Sequence, residues 1–215
     1  MYTLYHGTGS CSFAVKAALA LTGTQFETNA LDMAGGEHMG EAYQRISPLS
    51  KVPALAIDIN KEHQEKGSHV LTEGSAILLY LSAQFPNAKL MPDTSSIAYG
   101  EALKWMQMLY ATAHPHWGRV FFPERYGNEA NSIKDAAEKE VHKIYRLIEA
   151  QLAQNPYVAG QQLTLGDLYL MVTLHWEGAL KDNLTDQYPN LSAYRARMYQ
   201  EAIIGELYRS EFGVN

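Results

Sequence analysis

Two folded parts are predicted from the 215 residues: a small α/β domain, then an all-α domain. Three observations predict this. The first 85 residues read β-α-β-(α)-β-β-α, with turn residues between the runs. Strand signals stop after residue 72. Beyond residue 97, apolar side chains recur at steps of three and four, the period of an amphipathic helix. The chain is long enough to bury a sizeable core, as one large domain or two modest ones.

The apolar segment Tyr2 to Tyr5 is the first strand. Gly7 and Gly9 turn the chain, and Phe13 to Leu21 is the first helix, stopped by Gly23, a residue that takes the left-handed C-cap without penalty. Gln25 to Leu31 is a second strand, so strand, helix and strand predict a right-handed parallel βαβ unit. Residues 33–48 are polar and broken by Gly35, Gly36 and Gly40, with room for one short helix at Glu41 to Arg45, ended by Pro48. Two more strands, Ala54 to Ile57 and Val70 to Leu71, are joined by the hydrophilic stretch Asp58 to His69, read as an exposed hairpin loop. Thr72-Glu73-Gly74-Ser75 opens a third helix, Ala76 to Leu81, closed by Pro86. The first domain is therefore 1–86, and 87–96, with Pro92, Asp93, Thr94 and Ser95, is a linker.

The second domain, 97–215, begins with a stretch apolar on one side from 97 to 121. Ile133, Ala137, Val141, Ile144, Ile148 and Leu152 mark a long amphipathic helix. Leu163 to Leu180 is apolar almost all round, as in a helix buried within a bundle. It opens with Thr164-Leu165-Gly166-Asp167, where the threonine hydroxyl caps the helix and Asp167 reaches back to the cap N–H. Asn190 to Tyr208 supplies one or two further helices.

Composition narrows the function. A formal net charge of −6 argues against a nucleic-acid partner, which would call for a basic face. One cysteine excludes an internal disulfide framework and fits a reducing compartment. The start Met1-Tyr2-Thr3-Leu4-Tyr5 is no signal peptide, and no apolar run reaches membrane-spanning length, so a cytoplasmic protein is expected.

That one cysteine stands out. Cys11 falls at the first turn of the first helix, where unpaired N–H groups and the positive dipole end favour an anion. A thiol there tends towards thiolate, whether it belongs to the protein or to a ligand beside it. The plainer alternative is a small buried hydrophobe. Gly7-Thr8-Gly9, with Asp32 further on, could begin a dinucleotide fingerprint, but Ser12 occupies the third glycine position. A dithiol motif needs a cysteine at position 14, which is Ala14. Pro53 opens a strand, which proline tolerates, or forms a cis bond that turns the Val52 backbone outward to pair with an extended peptide. Glu73-Gly74-Ser75 caps a helix, or holds a carboxylate on its amides and an ammonium on Glu73. His114 and His116 are two apart and share no helix face, and no metal site is expected among the eight histidines. Trp117, Phe121 and Phe122 read first as core.

In this order and spacing, Gly9-Ser10-Cys11-Ser12, Lys51-Val52-Pro53-Ala54-Leu55, Leu71-Thr72-Glu73-Gly74-Ser75-Ala76-Ile77 and Thr164-Leu165-Gly166-Asp167 resemble the cytosolic glutathione transferases over essentially the whole chain. The bacterial beta class is most similar, and its segment aligns with Trp105 to Pro123 without a gap. The resemblance implies a thioredoxin-like N-terminal domain, an all-α C-terminal helical bundle and a two-fold homodimer. It implies that glutathione is the co-substrate, its thiol activated for addition to small apolar electrophiles in a detoxifying role. Cys11 then faces the glutathione sulfur with Ser10 and Ser12 adding hydrogen bonds, and His114 assists. Val52 makes the backbone pair, Pro53 is cis, and Glu73 with the Gly74 and Ser75 amides holds the γ-glutamyl end. Tyr110, Trp117 and Phe121 line the electrophile wall. The class lysine that meets the glycyl carboxylate is missing from Ala34-Gly35-Gly36-Glu37-His38, so His38, Lys51 or a backbone amide substitutes, and Gln107 replaces the asparagine that crosses between subunits and with Lys51 is counted among the glutathione-binding residues. Two alternatives remain: Cys11-dependent thiol transfer through a mixed disulfide, and a non-catalytic binder of apolar ligands or a protein.

Overall fold

The computed structural model describes residues 1–58 and 68–213. They divide into two compact units, one of residues 1–89 with those after 202, the other of residues 90–202.

In the first unit, β1 (Tyr2–His6), α1 (Ser12–Thr22) and β2 (Phe26–Ala30) make the expected parallel βαβ unit. After the short α2 (Glu41–Gln44), β3 (Ala54–Asp58) and β4 (Ser68–Leu71) complete a sheet of order β2-β1-β3-β4, in which β3 runs antiparallel to both neighbours. The loop expected from Asp58 to His69 lies for the most part outside the described residues. Small and branched residues let α1 sit close to its surroundings: Phe13, Ala14, Val15, Ala17, Ala18 and Leu19 are all inaccessible to solvent. Gly23 ends the helix at φ 70°, donating to the Ala20 carbonyl. α1 packs on α3 (Gly74–Gln84), which contributes Ile77, Leu78 and Leu81 to the core. Each such large side chain contributes about 1.5–3 kcal/mol through burial.

In the second unit, α4 (Ile97–Gln107) starts at Ser96, whose hydroxyl accepts the Tyr99 N–H at 3.2 Å. The stretch 97–121 is not one helix. A π-helical turn over Met108–Ala113 separates α4 from α5 (His114–Phe121). The cause is Pro115, which has no N–H to give to the preceding turn and whose ring crowds the carbonyl there. α6 (Ala130–Leu152) buries Ala137, Val141, Ile144, Tyr145 and Ile148 against its neighbours, at the spacing read from the sequence. α7 (Leu165–His175) is buried on every side, and α8 (Leu184–Gln187) and α9 (Pro189–Gln200) pack on each other.

The expected all-α domain of 97–215 ends early. From Ile203 onward, α10 (Ala202–Phe212) groups with the first unit, because Tyr208 and Phe212 close on Phe13 at ring separations of 5.7 and 5.2 Å. Among the described residues, no strand follows β4, and no helix is long and apolar enough to cross a membrane.

The capping box at α7 is present and extended. The fully buried Asp167 carboxylate accepts from the Thr164 N–H at 2.8 Å, the Thr164 hydroxyl at 3.0 Å, the Val158 N–H at 2.9 Å and the Tyr194 hydroxyl at 3.2 Å. Asp167→Ala leaves these buried donors unmet, and urea denaturation should show a loss of about 3 kcal/mol or more. A loss below about 0.5 kcal/mol would contradict this reading. Burial also raises the Asp167 carboxyl to about 6 from 3.8, against the hydrogen bonds that lower it. The folded chain therefore holds this proton more tightly than the unfolded one. The resulting stability is full below about pH 4 and is lost as pH rises through about 6. Relative to Asp167→Asn, the natural chain should lose up to about 1.4 kcal/mol per pH unit across that window.

Candidate functional site

The turn from β1 into α1 is tied by one hydroxyl. Ser12 Oγ donates to the Gly7 carbonyl at 3.1 Å and accepts the Gly7 N–H at 3.2 Å. Ser10 Oγ lies 2.6 Å from Ser12 Oγ and accepts the Ser12 N–H at 3.2 Å. Glycine is required at Gly7, where a Cβ would stand 2.6 Å from Met33 Cγ, and at Gly9, whose φ is +76°. Cys11 is thereby held at the N-cap of α1, 8% exposed, with Sγ 3.4 Å from the Val52 carbonyl oxygen. Ser12 itself is wholly buried. Its expected place against a ligand is corrected: it is a scaffold residue, with its hydroxyl committed to Gly7 and Ser10.

The sheet register gathers the other segments beside this turn. Tyr5 pairs with Ala54, and Leu55 with Leu71. The exit of β1, the entrance of β3 and the exit of β4 therefore lie at one end of the sheet. Val52-Pro53, just before β3, is cis. Hydrogen bonds from the Tyr43 hydroxyl (2.7 Å) and Ser47 hydroxyl (2.9 Å) to the Lys51 carbonyl hold this segment, while the Lys51 residue is exposed. Beyond β4, Glu73 stands at the N-cap of α3 with φ 64° and ψ 102°, a region costly for a residue with a side chain. Its side chain makes no cap hydrogen bond and the residue is exposed. The capping role weighed for Glu73 is thus not the one observed. Gly74 is buried and Ser75 half-buried at the first turn. His38, on the turn Glu37–Met39 after β2, has a buried Nδ1 with no hydrogen-bond partner.

In the second unit, His114 Nδ1 is hydrogen-bonded to the Tyr169 hydroxyl. Its ring lies 5.9 Å from Tyr110 and 5.3 Å from Trp176. Phe121 is 40% exposed and meets Trp176 edge-on at 5.7 Å. Trp117 is a correction: it has no exposed surface, and its indole N–H points to the Tyr145 hydroxyl at 3.3 Å. It backs the aromatic cluster and offers no wall to a ligand. Trp176 and Tyr169 were missed because they fall in and after the all-apolar α7 run, where an aromatic reads as core. The available signal was polar, since a buried tyrosine hydroxyl needs a partner. Gln107 closes α4 and is half-buried. Among the described residues, no group of three or more His, Cys, Asp or Glu is placed to hold a metal.

The family model described as "Glutathione S-transferase, N-terminal domain" matches residues 1–83, and "Glutathione S-transferase, C-terminal domain" matches 108–202. Glutathione S-transferase theta-2B of Homo sapiens is 30% identical over 206 residues, covering 90% of this chain and 78% of that protein. This chain belongs to the glutathione S-transferase family. It is a glutathione transferase with glutathione as its co-substrate. Among solved structures, a glutathione transferase homologue from Sulfitobacter with bound glutathione superposes with TM-score 0.84 at 26% identity, covering 98% of each chain. The bacterial beta class enzyme of Sphingomonas chungbukensis superposes with TM-score 0.82 at 28% identity, covering 99% of this chain and 100% of that one.

The transferase's first unit has one component that the sequence did not disclose. α10 lies on the start of α1: Phe212 approaches Gly9, and Glu211, its side chain 2% exposed, pairs with Lys16 at 2.8 Å. His6 lies in the same field. Burial, and then the Lys16 ammonium, lower its pKa, while Glu211 opposes them. Glu211→Gln should speed amide hydrogen exchange across α10 by about tenfold and leave α6 unchanged. Equal protection in both proteins would show that the aromatic contacts alone hold α10.

Proposed function

We propose that glutathione lies along the sheet end with its sulfur at Cys11, where the start of α1 makes it a thiolate that adds to small apolar electrophiles. The observation that carries this reading is the Cys11 thiol at a helix N-cap, 3.4 Å from the Val52 carbonyl and at the same sheet end as the uncapped start of α3. The free thiol of glutathione is mostly protonated at neutral pH. Lowering its pKa by two units takes about 2.7 kcal/mol. The helix dipole supplies roughly 1 kcal/mol and a hydrogen bond from the Cys11 thiol to the developing charge about 1.5–2 kcal/mol, which suffices, while the Ser10 hydroxyl proton is held by Ser12 Oγ and supports the turn.

The tripeptide's other groups have partners of matching chemistry. The backbone of its central residue pairs with Val52, whose N–H has no partner among the described residues. Its γ-glutamyl carboxylate takes the Gly74 and Ser75 amides at the start of α3, and its ammonium takes Glu73. Its glycyl carboxylate takes Lys51, which is exposed and precedes Val52, with His38 or a backbone amide as the alternative. His114, held by Tyr169, assists. The electrophile meets Tyr110, Phe121 and Trp176, an apolar set with few polar demands, consistent with broad specificity. We further propose a cytoplasmic homodimer with a detoxifying role and Gln107 near the subunit boundary.

The test is kinetic. Conjugation of a chlorodinitrobenzene should fall about ten- to a hundredfold in kcat for Cys11→Ala, with KM for glutathione changed less. Glu73→Ala should raise that KM by tenfold or more and abolish retention on immobilised glutathione. An unchanged rate in Cys11→Ala would move the sulfur's partner to Ser10 or Tyr5. Incubation with oxidised glutathione separates the thiol-transfer route. A single added glutathione in the natural chain, and none in Cys11→Ala, would establish a mixed disulfide at this thiol.

A further inference from the structure

The residue before Val52 is gripped by its backbone. The Lys51 carbonyl accepts the Tyr43 hydroxyl at 2.7 Å and the Ser47 hydroxyl at 2.9 Å, and the Lys51 N–H donates to Ser47 Oγ at 3.3 Å. Two side chains thus take both backbone polar groups of Lys51. Both are sealed from water, Tyr43 at 3% exposure and Ser47 at 1%. The Tyr43 ring is set in a small apolar cluster with Leu31 and Ala54, packed against Tyr5, Val52 and Val70, which fixes the aim of its hydroxyl. Burial pushes that hydroxyl up to about 12, against the Ser47 hydroxyl, which lowers it, so Tyr43 keeps its proton for donation at neutral pH.

The grip holds a turn that does not favour itself. Ser50, just before Lys51, takes φ 54°, a left-handed backbone unfavourable for a residue with a Cβ. The Ser50 N–H closes the turn on the Ser47 carbonyl at 2.8 Å. Such a conformation persists only where its surroundings enforce it. The next residue, Val52, carries the carbonyl 3.4 Å from Cys11 Sγ. Under the proposed binding mode Lys51 and Val52 meet the glycyl carboxylate and the central backbone of glutathione. Neither the Tyr43 nor the Ser47 hydroxyl touches the ligand in that mode, since both are buried and spent on Lys51.

We propose that Tyr43 and Ser47 are positioning residues for glutathione: by clamping the Lys51 backbone they preset Val52 to pair with the tripeptide. This rests on the reading that glutathione pairs with Val52. A preset partner binds more tightly because binding has less left to order. The clamp therefore acts on affinity and leaves the chemical step alone.

The test uses variants of the full chain, assayed with glutathione and a chlorodinitrobenzene. Tyr43→Phe keeps the ring and removes one donor. It should raise KM for glutathione about fivefold, the effect of one lost hydrogen bond, with kcat within about twofold of the natural value. Adding Ser47→Ala removes the second donor and should raise that KM about twentyfold or more. A role in folding alone would lower the urea midpoint and leave KM unchanged. A KM within about twofold of the natural one in Tyr43→Phe would overturn the proposal, even if the double variant fails to fold. So would a fall in kcat at constant KM. Calorimetry with S-methylglutathione, and with the same ligand methylated on its cysteinyl nitrogen, separates the clamp from the binding mode. The methylated ligand should bind the natural chain about tenfold more weakly, and this penalty should shrink to about threefold in Tyr43→Phe. Equal affinity of the two ligands for the natural chain would remove the Val52 pairing and the proposal with it. An undiminished penalty in Tyr43→Phe would leave the pairing in place and remove the clamp.

Discussion

The two hydrogen bonds between Ser12 Oγ and the Gly7 backbone govern the geometry of the thiol site. They close the strand-to-helix turn in so few residues that Cys11 has no choice but the N-cap of α1. Everything around the turn is shaped to permit that closure. Gly7 admits Met33 where a Cβ could not stand, and Gly9 takes a positive φ. A serine at position 12 is therefore needed for its hydroxyl inside the turn, and the ligand-facing chemistry falls to its neighbour.

The sheet then turns a local arrangement into a site. Because β3 runs antiparallel to both β1 and β4, the entrance of β3 is brought beside the exits of the other two. Val52 and Glu73 reach the Cys11 end of the sheet by register alone. At Glu73 the chain accepts a left-handed backbone without using the side chain as a cap, which leaves a carboxylate and a helix start together at the surface. Such strain persists only where the surrounding structure over-determines it. The second unit is organised on a different principle, with a buried carboxylate, Asp167, satisfied by donors from three segments.

Features written in local pattern were legible in the sequence. The βαβ unit, the α7 capping box and the cysteine at a helix start each depend on a few adjacent residues, whereas the cis state of Pro53 was one of two local readings and was chosen only by the family resemblance. The clustering of Cys11, Val52 and Glu73 came only with the family resemblance, since their proximity is a matter of sheet register. What escaped depends on distant packing. Trp117 and Trp176 are alike as residue types, yet the first is sealed against Tyr145 and the second is partly open. The docking of α10 on Phe13 joins residues nearly two hundred positions apart, and no periodicity reports it. Pro115 was visible, but its effect on the preceding turn was not read from it.

The central claim is that the start of α1 ionises the sulfur of bound glutathione. It is tested most directly by following the ultraviolet thiolate absorbance of the glutathione complex across pH. The account predicts an apparent thiol pKa about two units below that of free glutathione, shifting back towards the free value in Cys11→Ala. A complex whose thiol titrates like glutathione in water would contradict it.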